Sequence, residues 1–206
     1  MVGWVRERRT IARGTAVFVE GFPLVAVEPG WGLARLLARR RVTRTLLPLG
    51  AGLPAVDPLP LCRALAPRLA LELLDRLSLR ERRVLVRSER AAPWVRALCA
   101  ALAPRVGELA LDLDTGGEDL AGELWESFGL GVLPPRGLPS PALTVAFSPV
   151  GSCSGPVLRL WGEPDLLGIS PRLGRPLPAG LPELPFLTLL WEAGRLKPED
   201  ILLNSP

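Results

Sequence analysis

The segment LALDLDTGGED, residues 109–119, carries the residue types best suited to chemistry. Asp112 and Asp114 end a run typical of a buried strand, and Thr115, Gly116 and Gly117 follow before a predicted helix. A glycine-rich helix start at the carboxyl end of a parallel strand is a natural anion site. These five residues therefore predict a candidate anion or ligand site.

The order DLDTG at 112–116 resembles the first motif of the haloacid-dehalogenase-like phosphatases, where a hydrophobic strand ends in D-x-D-x-T or D-x-D-x-V. The resemblance implies that Asp112 attacks a phosphoryl group, that Asp114 acts as acid and base, and that the pair helps to hold magnesium. It also adds Ser148 to the candidate site, because that hydroxyl follows the strand LTVAF, where the family places its second motif.

The sequence departs from that family at three points. Gly116 stands where the family has Thr or Val, and the motif lies past the middle of the chain instead of opening it. The only lysine, Lys197, follows the acidic residues Glu163 and Asp165, whereas the family places its lysine before the last acidic motif. The resemblance covers about ten residues.

A structural interpretation explains the same segment without catalysis, and we favour it. Thr115 and Glu118 have the spacing of a capping box, in which each side chain satisfies a backbone amide at a helix start. Gly116 and Gly117 permit a tight turn. Asp112 and Asp114 would then lie where a strand reaches solvent.

The chemistry available elsewhere in the chain is limited. There is no histidine, which excludes the usual catalytic triads and the commonest zinc ligand. Cys62, Cys99 and Cys153 are widely spaced, so neither a disulfide framework nor a thiolate metal site is predicted. The segment GSCSG at 151–155 imitates a nucleophile elbow, but it lies between two predicted strands and has no histidine partner, which indicates a hairpin loop.

The pattern of elements predicts one α/β domain over 1–206, Rossmann-like, with three layers and a mainly parallel sheet that has helices on both faces. A basic segment at 1–14 precedes an N-terminal β-hairpin of Ala16–Glu20 and Leu24–Glu28, and a proline-rich surface loop occupies 170–185. Between them the predicted strands and helices alternate. The predicted helices lie near 33–40, at 61–77 with a kink or split at Pro67, from 93, and at 117–128. The predicted strands are one ending at 48, those at 82–87 and 108–113, a short one in GVLP at 131–134, and those at 142–147 and 157–161. On the helix at 117–128 we expect Leu120, Leu124, Trp125 and Phe128 to face the core.

Charge and hydropathy narrow the expected partners. The net charge is +4, and the basic residues are almost all arginine. Acidic residues are interspersed among them, so nucleic acid is not expected as a partner. No apolar run approaches the roughly 20 residues of a membrane span, and no signal peptide is predicted. We therefore expect a cytoplasmic protein.

The functional hypothesis that follows is a non-catalytic, intracellular binding or regulatory module. Its partner would be another protein or a small anionic ligand, with no metal and no cofactor. The alternative is a phosphate-directed enzyme or an anion or nucleotide binder that uses the 112–117 segment, with magnesium as its cofactor. Ser148 belongs to the candidate site in either case.

Overall fold

The chain forms two compact units in the computed structural model, Met1–Pro58 with Pro171–Leu202, and Leu59–Ser170 with Leu203–Pro206. The prediction of a single domain over 1–206 stays a prediction. The structure describes residues 5–11, 14–19, 22–26, 46, 55–76, 82–138, 140–151, 153–174, 177 and 182–204. The predicted helix near 33–40 and the strand ending at 48 lie outside these residues.

The first unit begins with a three-stranded antiparallel sheet of β1 (Val5–Ile11), β2 (Gly14–Val19) and β3 (Phe22–Ala26). The pairing of β2 with β3 confirms the predicted hairpin, with bounds one or two residues earlier than expected. β1 was not predicted, because the sequence analysis assigned 1–14 to a basic segment. Its backbone pairs with β2 through a bulge near its start.

The second unit contains three helices, α1 (Leu59–Arg76), α2 (Pro93–Leu102) and α3 (Gly117–Phe128). α1 buries an apolar face that includes Leu65, Leu69 and Leu73. It continues through Pro67 as one helix, so the predicted split is wrong, while the predicted kink stays a prediction. Proline removes a single backbone N–H, and the buried face on both sides of it compensates for that loss.

These helices flank a parallel sheet of five strands, in the order β6-β5-β4-β7-β8. Its strands are β4 (Arg83–Arg90), β5 (Glu108–Thr115), β6 (Val132–Leu133), β7 (Leu143–Ala146) and β8 (Val157–Arg159). All four residues of β7 are buried, as expected for a strand covered on both faces. The architecture confirms the predicted α/β class and is consistent with three layers, while its Rossmann-like details stay a prediction.

The expected inward orientation of Trp125 and Phe128 is wrong. α3 buries Leu120 and Leu124, whereas Trp125 is 63% exposed and Phe128 is 48% exposed. The reason is position: α3 packs against α2 on one side and beside β5 and the short edge strand β6. Its remaining side, which carries Trp125 and Phe128, is open to solvent in the described part of the chain.

The end of the chain adds β9 (Ser170–Leu173), α4 (Glu183–Glu192) and β10 (Ile201–Asn204), and β9 and β10 form a two-stranded sheet. The segment predicted as a surface loop at 170–185 thus begins as a strand and ends in a helix. In the part of the chain that the structure describes, no helix has the length and apolar character needed to cross a membrane.

The cysteines yield the first testable prediction. Cys62 and Cys99 are buried and Cys153 is partly exposed, and burial raises the pKa of the Cys99 thiol to about 12. At pH 8 a thiol reagent should therefore modify Cys153 in the folded protein, and the other two only after denaturation. Mass spectrometry of labelled peptides measures this, and Cys153→Ser should abolish native labelling.

The Cys99 thiol also makes the stability of the folded state depend on pH. Because folding raises its pKa from about 9, Cys99 stabilises the folded state fully below about pH 9, and this contribution is lost as the pH rises towards 12. Rapid labelling of Cys99 in the folded protein at pH 8 would contradict this assignment.

Candidate functional site

A single arginine holds both aspartates of the 112–117 segment. In the parallel register Arg87 of β4 lies opposite Asp112 of β5. Its Nη1 donates to Oδ1 of Asp114 at 2.6 Å and lies 3.5 Å from Oδ1 of Asp112, and its Nη2 lies 3.4 Å from Oδ2 of Asp114. Nη1 also donates to the backbone carbonyl of Asp112 at 3.2 Å. The two carboxylates therefore converge on one guanidinium.

The two carboxylates act as counter-charges for a guanidinium that is more buried than they are. The Arg87 side chain is 19% exposed, against 42% for Asp112 and 53% for Asp114. The hydrogen bond to Asp114 raises the pKa of Arg87, opposed by burial and assisted by the charges of Asp112 and Asp114. A charge withdrawn from water requires such partners. Sequence reasoning missed Arg87, although it is the only charged residue in the apolar stretch VLVRS.

The predicted capping box is not formed. Thr115 is the last residue of β5, and its hydroxyl donates to the Glu89 carbonyl at 3.3 Å instead of capping α3. Gly116 is the N-cap, with φ of 75° and no side-chain cap. A Cβ on Gly116 would lie 3.2 Å from Cβ of Ala91, so both the positive φ and the close approach require glycine. The helix thus begins one residue later than the box needs.

Ser148 does not join the aspartates. β7 pairs with β4 on the side opposite to β5, and the Phe147 amide still donates to the Arg87 carbonyl at 2.8 Å. Two strand spacings, roughly 10 Å, therefore separate Ser148 from β5. Ser148 is 4% exposed, and its Oγ has no hydrogen-bond partner among the described residues.

The second acidic group of the sequence is farther still. Asp165 lies in the loop after β8, where its Oδ1 accepts the Leu167 amide at 3.0 Å. Its backbone bridges to Arg159 of β8, three strands away from β5. Within the described part of the chain, no three Asp, Glu, Cys or His residues are placed to hold a metal ion. The geometry therefore does not assemble the carboxylate centre that the phosphatase resemblance implies.

The start of α3 is acidic. The open groove there is lined by residues 113–119, which include Asp114, Glu118 and Asp119. Carboxylates in the first turn already compensate the positive end of the helix dipole. An anion approaching Gly116 and Gly117 would meet these like charges, which disfavours phosphate at this corner.

A second pocket lies at the carboxyl ends of β4 and β7, and Arg63 of α1 lines it with a side chain that is held in place. Arg63 Nε donates to the Leu160 carbonyl at 3.2 Å, and its guanidinium carbon lies 5.4 Å from the centroid of the Trp94 ring. The sequence analysis did not select this pocket, because its members are distant in the chain. The lining residues are Arg63, Ser88, Glu89, Arg90, Trp94 and Phe147.

Comparison of the chain with protein-family models, with curated proteins and with solved structures found no match. The roles of these residues are therefore argued from their geometry and chemistry.

The Arg87 cluster yields a stability prediction. Arg87→Met keeps the apolar stem but leaves Asp112 and Asp114 adjacent and unpaired, so the free energy of unfolding should fall by about 1 kcal/mol. Urea denaturation measures this. Arg136→Met is the control, because Arg136 is exposed and forms no ion pair within the described residues; its effect should stay below about 0.5 kcal/mol. Equal stability of the two variants would show that the cluster contributes nothing.

Magnesium binding tests the alternative interpretation, in which Asp112 and Asp114 hold a metal ion. Because Arg87 already binds both carboxylates, we expect Mg²⁺ to leave the melting temperature unchanged in the wild type and in Asp112→Asn alike. Differential scanning fluorimetry measures this. A magnesium-dependent rise that Asp112→Asn abolishes would instead support the phosphatase-like interpretation.

Proposed function

We propose that this chain is a non-catalytic, intracellular binding module that contacts a protein partner through one side of α3. The observation that carries the proposal is the exposure of Trp125 (63%) and Phe128 (48%), three residues apart on that helix. Side chains at this spacing are neighbours on a helix surface. Tryptophan and phenylalanine are enriched at protein interfaces, where the burial of large aromatic rings supplies much of the binding energy.

The charge of α3 specifies the kind of partner. The helix contains Glu118, Asp119, Glu123 and Glu126 and no basic residue. Arg96 of α2 pairs with Glu123, while the other three form no ion pair with any described residue. Glu118 lies two turns before Trp125 on the same side of the helix. A partner segment with basic residues around an apolar centre would complement this surface.

Two features support a role without catalysis, and a third supports an intracellular location. The sequence has no histidine, and Arg87 binds the two aspartates that a carboxylate mechanism would need. The alternative, a phosphate-directed and magnesium-dependent enzyme at residues 112–117, would require Arg87 to release them. All three cysteines are free thiols, which favours a reducing intracellular location such as the cytoplasm.

Site-directed photo-crosslinking tests the proposal. A photoreactive residue at Gly122, which has open space around its Cα, would face outward beside Trp125. In the native cell it should form an adduct with one protein, whereas the same residue at the exposed position 136 should not. The double variant Trp125→Ser, Phe128→Ser should abolish the adduct without lowering the melting temperature, because both side chains are already solvent-exposed.

The crosslinking results distinguish between the possible partners and test the proposed surface. An adduct between two copies of the chain would identify the partner as a second copy. Equal adducts at 122 and 136, or adducts that persist in the double variant, would contradict the proposed surface. A control variant, Leu124→Ala, should instead destabilise the fold by about 2–4 kcal/mol, since Leu124 is buried.

A further inference from the structure

The second pocket occupies a special place in the sheet. From the central strand β4 the chain moves outward on one side through β5 and β6, and then crosses to the other side through β7 and β8. The strand order therefore reverses between β4 and β7. In open parallel sheets, ligands bind outside the carboxyl ends of the strands at such a reversal. Ser88 and Phe147, which line the pocket, lie at the ends of these two strands.

Positive charge predominates in this pocket. Arg63 and Arg90 line it together with a single carboxylate, Glu89. The Leu160 carbonyl and the Trp94 ring hold the Arg63 side chain, and no hydrogen bond within the described residues uses its Nη atoms. The position of the Arg63 guanidinium is thus fixed before a ligand arrives, which lowers the entropic cost of binding.

The first turn of α2 adds positive partial charge at the same pocket. Its N-cap, Ala92, provides no side-chain cap, and no acidic residue lies in this first turn, in contrast to α3. Ser88, only 5% exposed, places a hydroxyl at the pocket wall and donates to the Arg90 carbonyl at 3.0 Å. The Ser88 proton is used in that bond, so the donors left for a ligand are the two guanidinium groups, from α1 and β4, together with the positive end of α2. Planar guanidinium groups suit the oxygens of a tetrahedral oxyanion.

The pocket volume limits the ligand. At about 170 Å³ the cavity is smaller than the roughly 300–1,000 Å³ of sites that enclose drug-sized molecules. We propose that this pocket binds the phosphate group of a small metabolite, with Arg63 and Arg90 as the ligands of the phosphate oxygens and the remainder of the molecule directed towards solvent. This site is separate from residues 112–117 and from the α3 surface.

Isothermal titration calorimetry tests the assignment with inorganic phosphate, adenosine monophosphate and adenosine as probes. The two phosphate-bearing probes should bind and adenosine should not. Arg63→Gln should weaken binding at least tenfold, because it removes a charge-assisted hydrogen bond. Arg90→Gln should weaken it severalfold, and serves as the second variant because its exposed side chain has no structural partner among the described residues.

Two controls make the result decisive. Arg76→Gln removes the same charge from the exposed last turn of α1 and should leave the dissociation constant unchanged. Asp114→Asn should also leave it unchanged, since Asp114 lies at the other groove. The proposal is overturned if phosphate at millimolar concentration releases no heat, or if Arg63→Gln, Arg90→Gln and Arg76→Gln bind equally. It is also overturned if Asp114→Asn is the variant that alters affinity. None of these outcomes depends on the α3 surface.

Discussion

The half-buried guanidinium of Arg87 constrains the carboxyl edge of the parallel sheet. A charge so placed requires hydrogen-bonded counter-charges, and the neighbouring strand supplies them from two positions on one face. Asp112 stands in register with Arg87, and Asp114 follows one pleat later. The DLD sequence is thereby explained by a strand pair, and its resemblance to a phosphatase motif follows from the same geometry without requiring the same chemistry.

The direction of α3 is set by the turn between β5 and α3, which lies beside the Arg87 cluster. β5 ends at Thr115, where the Ala91 amide and the Thr115 hydroxyl tie the corner to the segment after β4. Gly116 then turns the chain in a left-handed conformation that other residues rarely adopt. α3 leaves this turn with Leu120 and Leu124 buried and its aromatic pair in solvent. The carboxyl edge of the sheet thus presents two different surfaces, acidic beside β5 and basic between β4 and β7.

The regular alternation of apolar runs and amphipathic segments was sufficient to predict the helices and strands of the second unit, because buried parallel strands have a local signature. The features that were missed depend on pairing. The bond between Arg87 and Asp114 requires the register of two strands 25 residues apart. The helical period correctly places Leu120 and Leu124 in the core, but it cannot show that α3 lies at the margin of the sheet, which leaves Trp125 exposed. Likewise, the pocket of Arg63 and Trp94 draws on three elements that only the tertiary fold brings together.

The brevity of β6 has a consequence for how this protein can associate. A long unpaired margin invites edge-to-edge growth through main-chain hydrogen bonds, the route to aggregation. Here the margin at β6 is two residues long, and beyond β8 the chain folds back so that Arg159 pairs antiparallel with Asp165. Each margin therefore offers only a short or interrupted run of backbone for sheet extension. A partner that docks on the proposed α3 surface would therefore be recognised mainly through side chains, which are more selective than backbone pairing.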